Sequence, residues 1–163
     1  MALNRAGNSD LGRLVKLLES IGDNSYRARL SQRMSRTMLR LVQNSIDTST
    51  DCYGRQMLPR VDDGAAPLKG LRNSFMASFT VNGPRVGTDK WYAKVHNRGW
   101  RIEPQSAPYL KFRLPSGRWV SARTVIIPRR QLVPTFQTGL GPVWGPVLRD
   151  DADAIMREYL RGR

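Results

Sequence analysis

The chain of 163 residues carries 27 basic and 13 acidic residues, a formal net charge of +14, and 40% of its residues are hydrophobic. This length suits one ordinary domain with a hydrophobic core, and the composition excludes a disordered chain. No apolar run approaches the roughly 20 residues that span a bilayer, and the N-terminal residues lack the pattern of a secretory signal. We therefore expect a cytosolic protein without membrane contact.

The N-terminal third, residues 10–48, is predicted to be helical because its apolar residues recur at helical spacing. A short helix covers residues 10–21, and a longer one follows Asp23 and Asn24. The apolar face of the longer helix consists of Leu30, Met34, Met38, Leu41, Val42 and Ile46. Residues 49–70 show no sustained periodicity, and loops this long are unusual in compact domains. We expect this loop to be mobile or to become ordered against another subunit.

The pattern of residues 71–127 favours antiparallel β-hairpins that form one small sheet, with a short helical turn near 91–97. The first hairpin pairs 71–81 with 85–88, and the second pairs 109–114 with 118–127 through a turn at 115–117. Residues 128–146 form a loop or arm. Pro146 then suits the first turn of a C-terminal helix over 147–161, which we expect to pack on the sheet. The fold class is α+β, in a single domain over 1–163.

Catalytic patterns are absent from the sequence. Cys52 is the only cysteine and His96 the only histidine, so one chain cannot form a disulfide or a zinc site closed by such ligands. Cys52 and His96 as nucleophile and base would lack a third partner, and there is no glycine-rich phosphate loop. We predict no enzymatic activity, no catalytic or metal-binding residues and no cofactor. An enzyme based on His96 is a competing hypothesis.

Positive charge is concentrated in residues 98–130, which carry eight basic residues and one acidic residue. Such a field indicates contact with nucleic acid or an acidic partner surface, although a solvated basic face is the simpler interpretation. The candidate contacts are Arg98, Arg101, Lys111, Arg113, Arg118 and Arg123. Aromatic residues lie among these cations, namely Trp91, Tyr92, Trp100, Tyr109, Phe112 and Trp119. We prefer core packing for these rings over a stacking platform for single-stranded nucleic acid.

Several short motifs follow one another in a characteristic order. They are Asp51-x-x-Gly54, LKGLRNSF at 68–75, YAKVHNRG at 92–99, the hairpin YLKFRLPSGRWVSAR at 109–123, and IPRRQLVP at 127–134. Together they resemble the virion-morphogenesis or tail-completion proteins of Mu-type phages, which include tail terminator and neck proteins. The residues that carry the resemblance most directly are Tyr92, Ala93, His96, Gly99, Pro128 and Arg130. We expect a structural role for this motif.

The resemblance implies a virion protein that assembles in the host cytoplasm. It would form a ring with copies of itself, expected to be a hexamer, at the head-proximal end of the tail. The ring would complete the tail, contact the tail tube or sheath protein, and offer a surface to the head connector or neck proteins. Genomic DNA passing through would touch it transiently. The alternatives are a head-completion or connector protein (adaptor or stopper) of the same neck, and a basic nucleic-acid-binding module.

His96 is expected to act as a hydrogen-bonding brace at a corner of the chain. In this interpretation Tyr92 and Ala93 begin a helical turn, Val95 faces the core, and Gly99 allows the chain to reverse.

Overall fold

The computed structural model describes residues 24–60, 64–80, 83–135 and 137–161. The predicted helix over 10–21 and the turn residue Asn82 lie outside these ranges. The elements are α1 (Asn24–Asp47), a 3-10 helix (Lys69–Ser74), β1 (Phe75–Thr80), β2 (Gly83–Thr88), α2 (Trp91–Arg98), β3 (Trp100–Ile102), β4 (Leu110–Arg113), β5 (Trp119–Ala122), β6 (Val125–Ile127) and α3 (Gly141–Arg161). Helices and small antiparallel sheets confirm a mixed α+β class. None of the described helices is both long and apolar enough to cross a membrane.

Helix α1 lies at the centre of the fold. Leu30, Val42 and Ile46 of its predicted apolar face are buried, and Met34 and Met38 pack beside them. Small polar residues on the same helix are also buried: Ser31, Ser35, Thr37 and Ser45. Their short side chains let neighbouring elements approach α1 closely. The hairpin β1–β2 and helix α3 both pack against α1.

Helix α3 packs along α1 rather than on the sheet, so the predicted packing is wrong. Trp144 and Leu148 share a core cluster with Val42 and Ile46 near the end of α1, and Ala152 contacts the cluster around its start. The two helices are therefore antiparallel. The reason is the long apolar stripe on α3, which needs a partner of similar length, and among the described elements α1 provides one.

The start of α3 also differs from the prediction, because the helix begins at Gly141 and includes Pro146. Gly141 has a φ of 66°, and a Cβ there would collide with the ring of Tyr53. Pro142 follows at the first turn, where a missing N–H has no cost. The early start places Trp144 in the core, and its burial offsets the hydrogen bond that Pro146 cannot donate.

The described strands form three separate two-stranded antiparallel sheets, β1–β2, β3–β6 and β4–β5, so the predicted single sheet is wrong. The predicted strand 118–127 breaks at Arg123 and Thr124, and its second half pairs with β3. The first strand starts at Phe75, since residues 71–74 belong to the 3-10 helix. Of the three sheets, only β1–β2 contributes a buried residue, Phe75, to the core.

Part of the predicted long loop is folded into the chain's own core. Cys52 and Met57 are buried in the main cluster, and Thr50 and Gln56 form an isolated bridge. For residues 50–57 this corrects the expectation that the loop is mobile or needs another subunit. Its order comes from side-chain hydrogen bonds to the backbone, which leave no periodic pattern in the sequence.

We predict that Trp144→Ala lowers the free energy of unfolding by about 3–5 kcal/mol, because it leaves a cavity where α1 and α3 meet. Trp144 is 0% exposed. Urea unfolding monitored by circular dichroism measures the loss. Trp119→Ala is the matched control: Trp119 is 70% exposed, and we expect a change within about 0.5 kcal/mol. Equal losses in the two variants would contradict this assignment of the core.

Candidate interaction surface

The Asp51-x-x-Gly54 motif forms a turn held by one carboxylate. Asp51 Oδ1 accepts hydrogen bonds from the backbone N–H groups of Tyr53 and Arg55, both at 2.9 Å. Asp51 Oδ2 accepts from Arg55 Nε at 2.9 Å. The Cys52 N–H donates to the carbonyl of Gln131 at 2.7 Å, which ties the turn to the segment after β6. The motif is therefore a structural clasp between two distant parts of the chain.

Gln131 holds the other side of this clasp. Its side chain is buried, and its Nε2 donates to Tyr53 Oη at 3.4 Å and to Thr138 Oγ1 at 3.1 Å. Its Oε1 accepts from the guanidinium of Arg129. Gln131 and Thr138 are thus packed onto the body, so this described part of the segment after β6 is not an extended arm. Sequence analysis did not single out Gln131, because an isolated glutamine carries no periodic signal.

The brace expected of His96 is provided by its neighbour Asn97. Asn97 Oδ1 accepts from the backbone N–H groups of Leu132 at 2.9 Å and Val133 at 3.0 Å, and Nδ2 donates to the Val133 carbonyl at 3.3 Å. The buried Nδ1 of His96 has no partner among the described residues. Only the backbone carbonyl of His96 takes part, accepting from the Arg130 N–H at 2.8 Å. The brace that was predicted at His96 is therefore formed by the next residue, Asn97.

Gly99 turns the chain from α2 into β3. Its φ is 75° and its ψ 156°, a region that is essentially restricted to glycine. A Cβ there would lie 3.2 Å from the Arg129 backbone nitrogen and 3.3 Å from the Ile127 carbonyl oxygen. Pro128 stands between these two residues in the sequence. The motif residues of α2 and of 128–130 thus meet in space and join two segments of backbone, and Ala93 is buried in the main core cluster.

Burial and neighbouring charge shift the pKa values of His96 and Cys52 in this region. Burial lowers the pKa of His96, and the Arg130 guanidinium lowers it further. Burial raises the pKa of the Cys52 thiol to about 12, so the thiol stays protonated at neutral pH. No group of three or more metal-ligating side chains occurs in the described part of the chain. A nucleophile, a base and a substrate cavity do not come together among these residues.

The aromatic residues near the cations are mostly on the surface, which corrects the preference for core packing. Trp91, Trp100, Tyr109 and Trp119 are exposed, and only Tyr92 and Phe112 are partly buried. The sheets β3–β6 and β4–β5 have only two strands each among the described residues. No residue of 100–127 belongs to either hydrophobic core cluster of the described residues. We call the segment 100–127 the ribbon arm.

The ribbon arm also carries most of the candidate cations. Arg101, Lys111, Arg113, Arg118 and Arg123 are exposed on it, and Arg98 precedes it at the end of α2. The acidic residue of the arm, Glu103, pairs with Arg101 at 2.7 Å. Five of the six candidate cations therefore lie on the ribbon arm, which also carries exposed rings.

Comparison of the chain with protein-family models, curated proteins and solved structures finds no match. The functional argument therefore rests on the residues and their geometry.

We predict that Asn97→Ala lowers the free energy of unfolding by about 2–4 kcal/mol, because two backbone N–H groups lose their acceptor. Asn97→Asp keeps the acceptor oxygen, so we expect a smaller loss. Asn44 on the exposed side of α1 is the control, and its replacement by alanine should change the value by less than about 0.5 kcal/mol. If Asn97→Ala were as mild as Asn44→Ala in urea unfolding, Asn97 would not be the brace.

We predict that His96 makes the protein sensitive to mild acid. A histidine whose pKa is lowered on folding contributes stability above its unfolded pKa of about 6.5, and this contribution is lost as the pH falls through the folded pKa. The His96→Gln variant should therefore lose less stability than the parent protein between neutral pH and mildly acidic pH, as measured by urea unfolding at each pH. Equal losses of stability in the variant and the parent protein would show that His96 is not desolvated.

Proposed function

We propose that the chain is a structural subunit of a tailed-phage virion, which forms a ring at the head–tail junction, completes the tail and offers a surface to the head. The ribbon arm carries this proposal together with the order of the sequence motifs. A structural protein of this kind needs surfaces that are completed by neighbours. The arm is such a surface, because it has apolar residues on both ribbons and no core of its own.

The register of β3–β6 supports an interface on this arm. Trp100 lies opposite Ile127, and Ile102 lies opposite Val125, so the four side chains share one face. Trp100 and Ile102 are exposed, and Ile126 on the other face is 71% exposed. Exposed apolar residues clustered on one short segment indicate a protein contact. An isolated two-stranded ribbon is also only marginally stable in water, so contact with a neighbour would stabilise it.

The rigid attachment of the arm fits the same role. Asn97 and Gly99 join its start to the segment after β6, and the Asp51 clasp joins that segment to the body. An interface element must be held in one orientation to form a closed ring with identical contacts. Three of the motifs that resemble the phage family, Asp51-x-x-Gly54, YAKVHNRG and IPRRQLVP, thus contain the residues that fix the arm. In this proposal the ring contacts the tail tube or sheath protein and the head connector.

A head-completion or connector protein on the other side of the same joint is the second candidate. The same arm would serve a ring of that kind, so the two candidates differ in their binding partner. Binding to purified tail tubes that lack a terminal ring distinguishes them: a tail-completion protein caps the tubes, whereas a head-side protein binds portal-bearing heads instead.

We predict that the purified chain, alone or with such tail tubes, forms discrete rings visible by electron microscopy and by light scattering. Trp100→Asp should prevent ring formation while leaving the unfolding free energy within about 0.5 kcal/mol, because the side chain is already exposed. Leu58→Asp is the control, since Leu58 is 67% exposed but lies outside the ribbon arm. A strict monomer that ignores tail tubes and heads would overturn the proposed function.

A further inference from the structure

The β4–β5 ribbon has two chemically different faces. Arg113 lies opposite Trp119, and Lys111 lies opposite Ser121, so these four exposed residues share one face. The alternation continues to Tyr109 and Arg123 at the ends of the two strands. We define the basic–aromatic face as Tyr109, Lys111, Arg113, Trp119, Ser121 and Arg123. The opposite face carries Leu110, Phe112, Val120 and Ala122, all partly buried.

No acidic residue in the described part of the chain pairs with the cations of the basic–aromatic face. Lys111, Arg113 and Arg123 form no ion pair with any described residue, whereas arginines of the body do. Arg33 pairs with Asp151 at 3.0 Å, and Arg72 pairs with Asp47 at 2.7 Å. The positive charge of this face is therefore available to a ligand.

Two of these cations are already oriented by the ribbon itself. Arg113 Nε donates to the Gly117 carbonyl at 3.0 Å, which holds this guanidinium at the turn of the ribbon. The Arg123 guanidinium lies 5.8 Å from the centroid of the Tyr109 ring, within the range of a cation–π contact. Lys111 and Arg113 are two positions apart on one strand, a separation of about 7 Å. Such a row of charges suits a chain of phosphates.

We propose that the basic–aromatic face binds single-stranded nucleic acid, with the cations contacting phosphates and Trp119 stacking on a base. Trp119 is 70% exposed, and single-strand binders combine such rings with a basic track. In a duplex the bases already stack on one another, so this ring would gain no base contact. The proposal goes beyond the ring function and does not depend on it.

An acidic protein surface is the competing occupant, and the surroundings of Trp119 favour nucleic acid. Aromatic anchors of protein interfaces lie in a desolvated, largely apolar centre. The neighbours of Trp119 on its own face are instead Arg113, Lys111 and Ser121. A ring among cations is suited to a base whose phosphates lie on either side.

The test titrates the full-length protein into fluorescein-labelled oligo(dT) of about 15 nucleotides and records anisotropy over a salt series. Trp119→Ala should weaken binding about five- to a hundredfold. Lys111→Gln combined with Arg113→Gln should reduce the slope of log K against log salt by about 1.4, which is 0.7 per phosphate contact on a single strand. A duplex of equal length should bind more weakly than oligo(dT).

Matched controls change the same residue types elsewhere. Trp91→Ala removes a ring that is 78% exposed on α2, and Arg29→Gln with Arg36→Gln removes two exposed charges from α1. Neither control should change the affinity for oligo(dT) or the salt slope as the ribbon variants do. Circular dichroism confirms that each variant is folded.

Three results would overturn the proposal. The first is no binding of oligo(dT) at low salt. The second is binding that is unchanged by Trp119→Ala or stronger for the duplex, which would make the face a general phosphate contact. The third is displacement of the oligonucleotide by poly-glutamate of equal charge as effectively as by unlabelled oligo(dT), which would indicate an acidic protein as the partner.

Discussion

Burial of the apolar face of α1 is the interaction on which the rest of the structure depends. Helix α3 covers one part of that face through Trp144 and Leu148, and the β1–β2 hairpin packs against the same helix. The turn at Asp51 is in turn packed against this core through Cys52. Because a single helix organises the core, the ribbon arm is left outside it, joined to the body by hydrogen bonds to the backbone.

Elements with a strong period were predictable, whereas their partners were not. The face of α1 and the two hairpins follow from spacing of 3.6 and of 2 residues. The packing of α3 on α1 depends on how well two apolar stripes match in length, and one chain's periodicity does not contain that information. The start of α3 was missed because Pro146 suggested a first turn, although the burial of Trp144 requires an earlier one.

The candidate surface was likewise predictable only in part. The cations of the ribbon arm were predicted from the concentration of charge in residues 98–130. The exposure of Trp100 and Trp119 was not predicted, because alternation does not reveal whether a second layer covers a sheet. Asn97 and Gln131 were missed because single polar side chains that bind backbone groups leave no pattern. The motif around His96 nevertheless contains Asn97 and Gly99, which join the ribbon arm to the segment after β6.

The central claim is that the ribbon arm is completed by partners, whereas α1 and α3 form a core in the isolated chain. Amide hydrogen exchange, followed by mass spectrometry on the isolated chain and on its rings, tests this most directly. We expect amides of 24–47 and 141–161 to be protected in both states, and those of 100–127 to exchange quickly in the isolated chain and slowly in rings. Equal protection of the arm and of α1 in the isolated monomer would contradict the account.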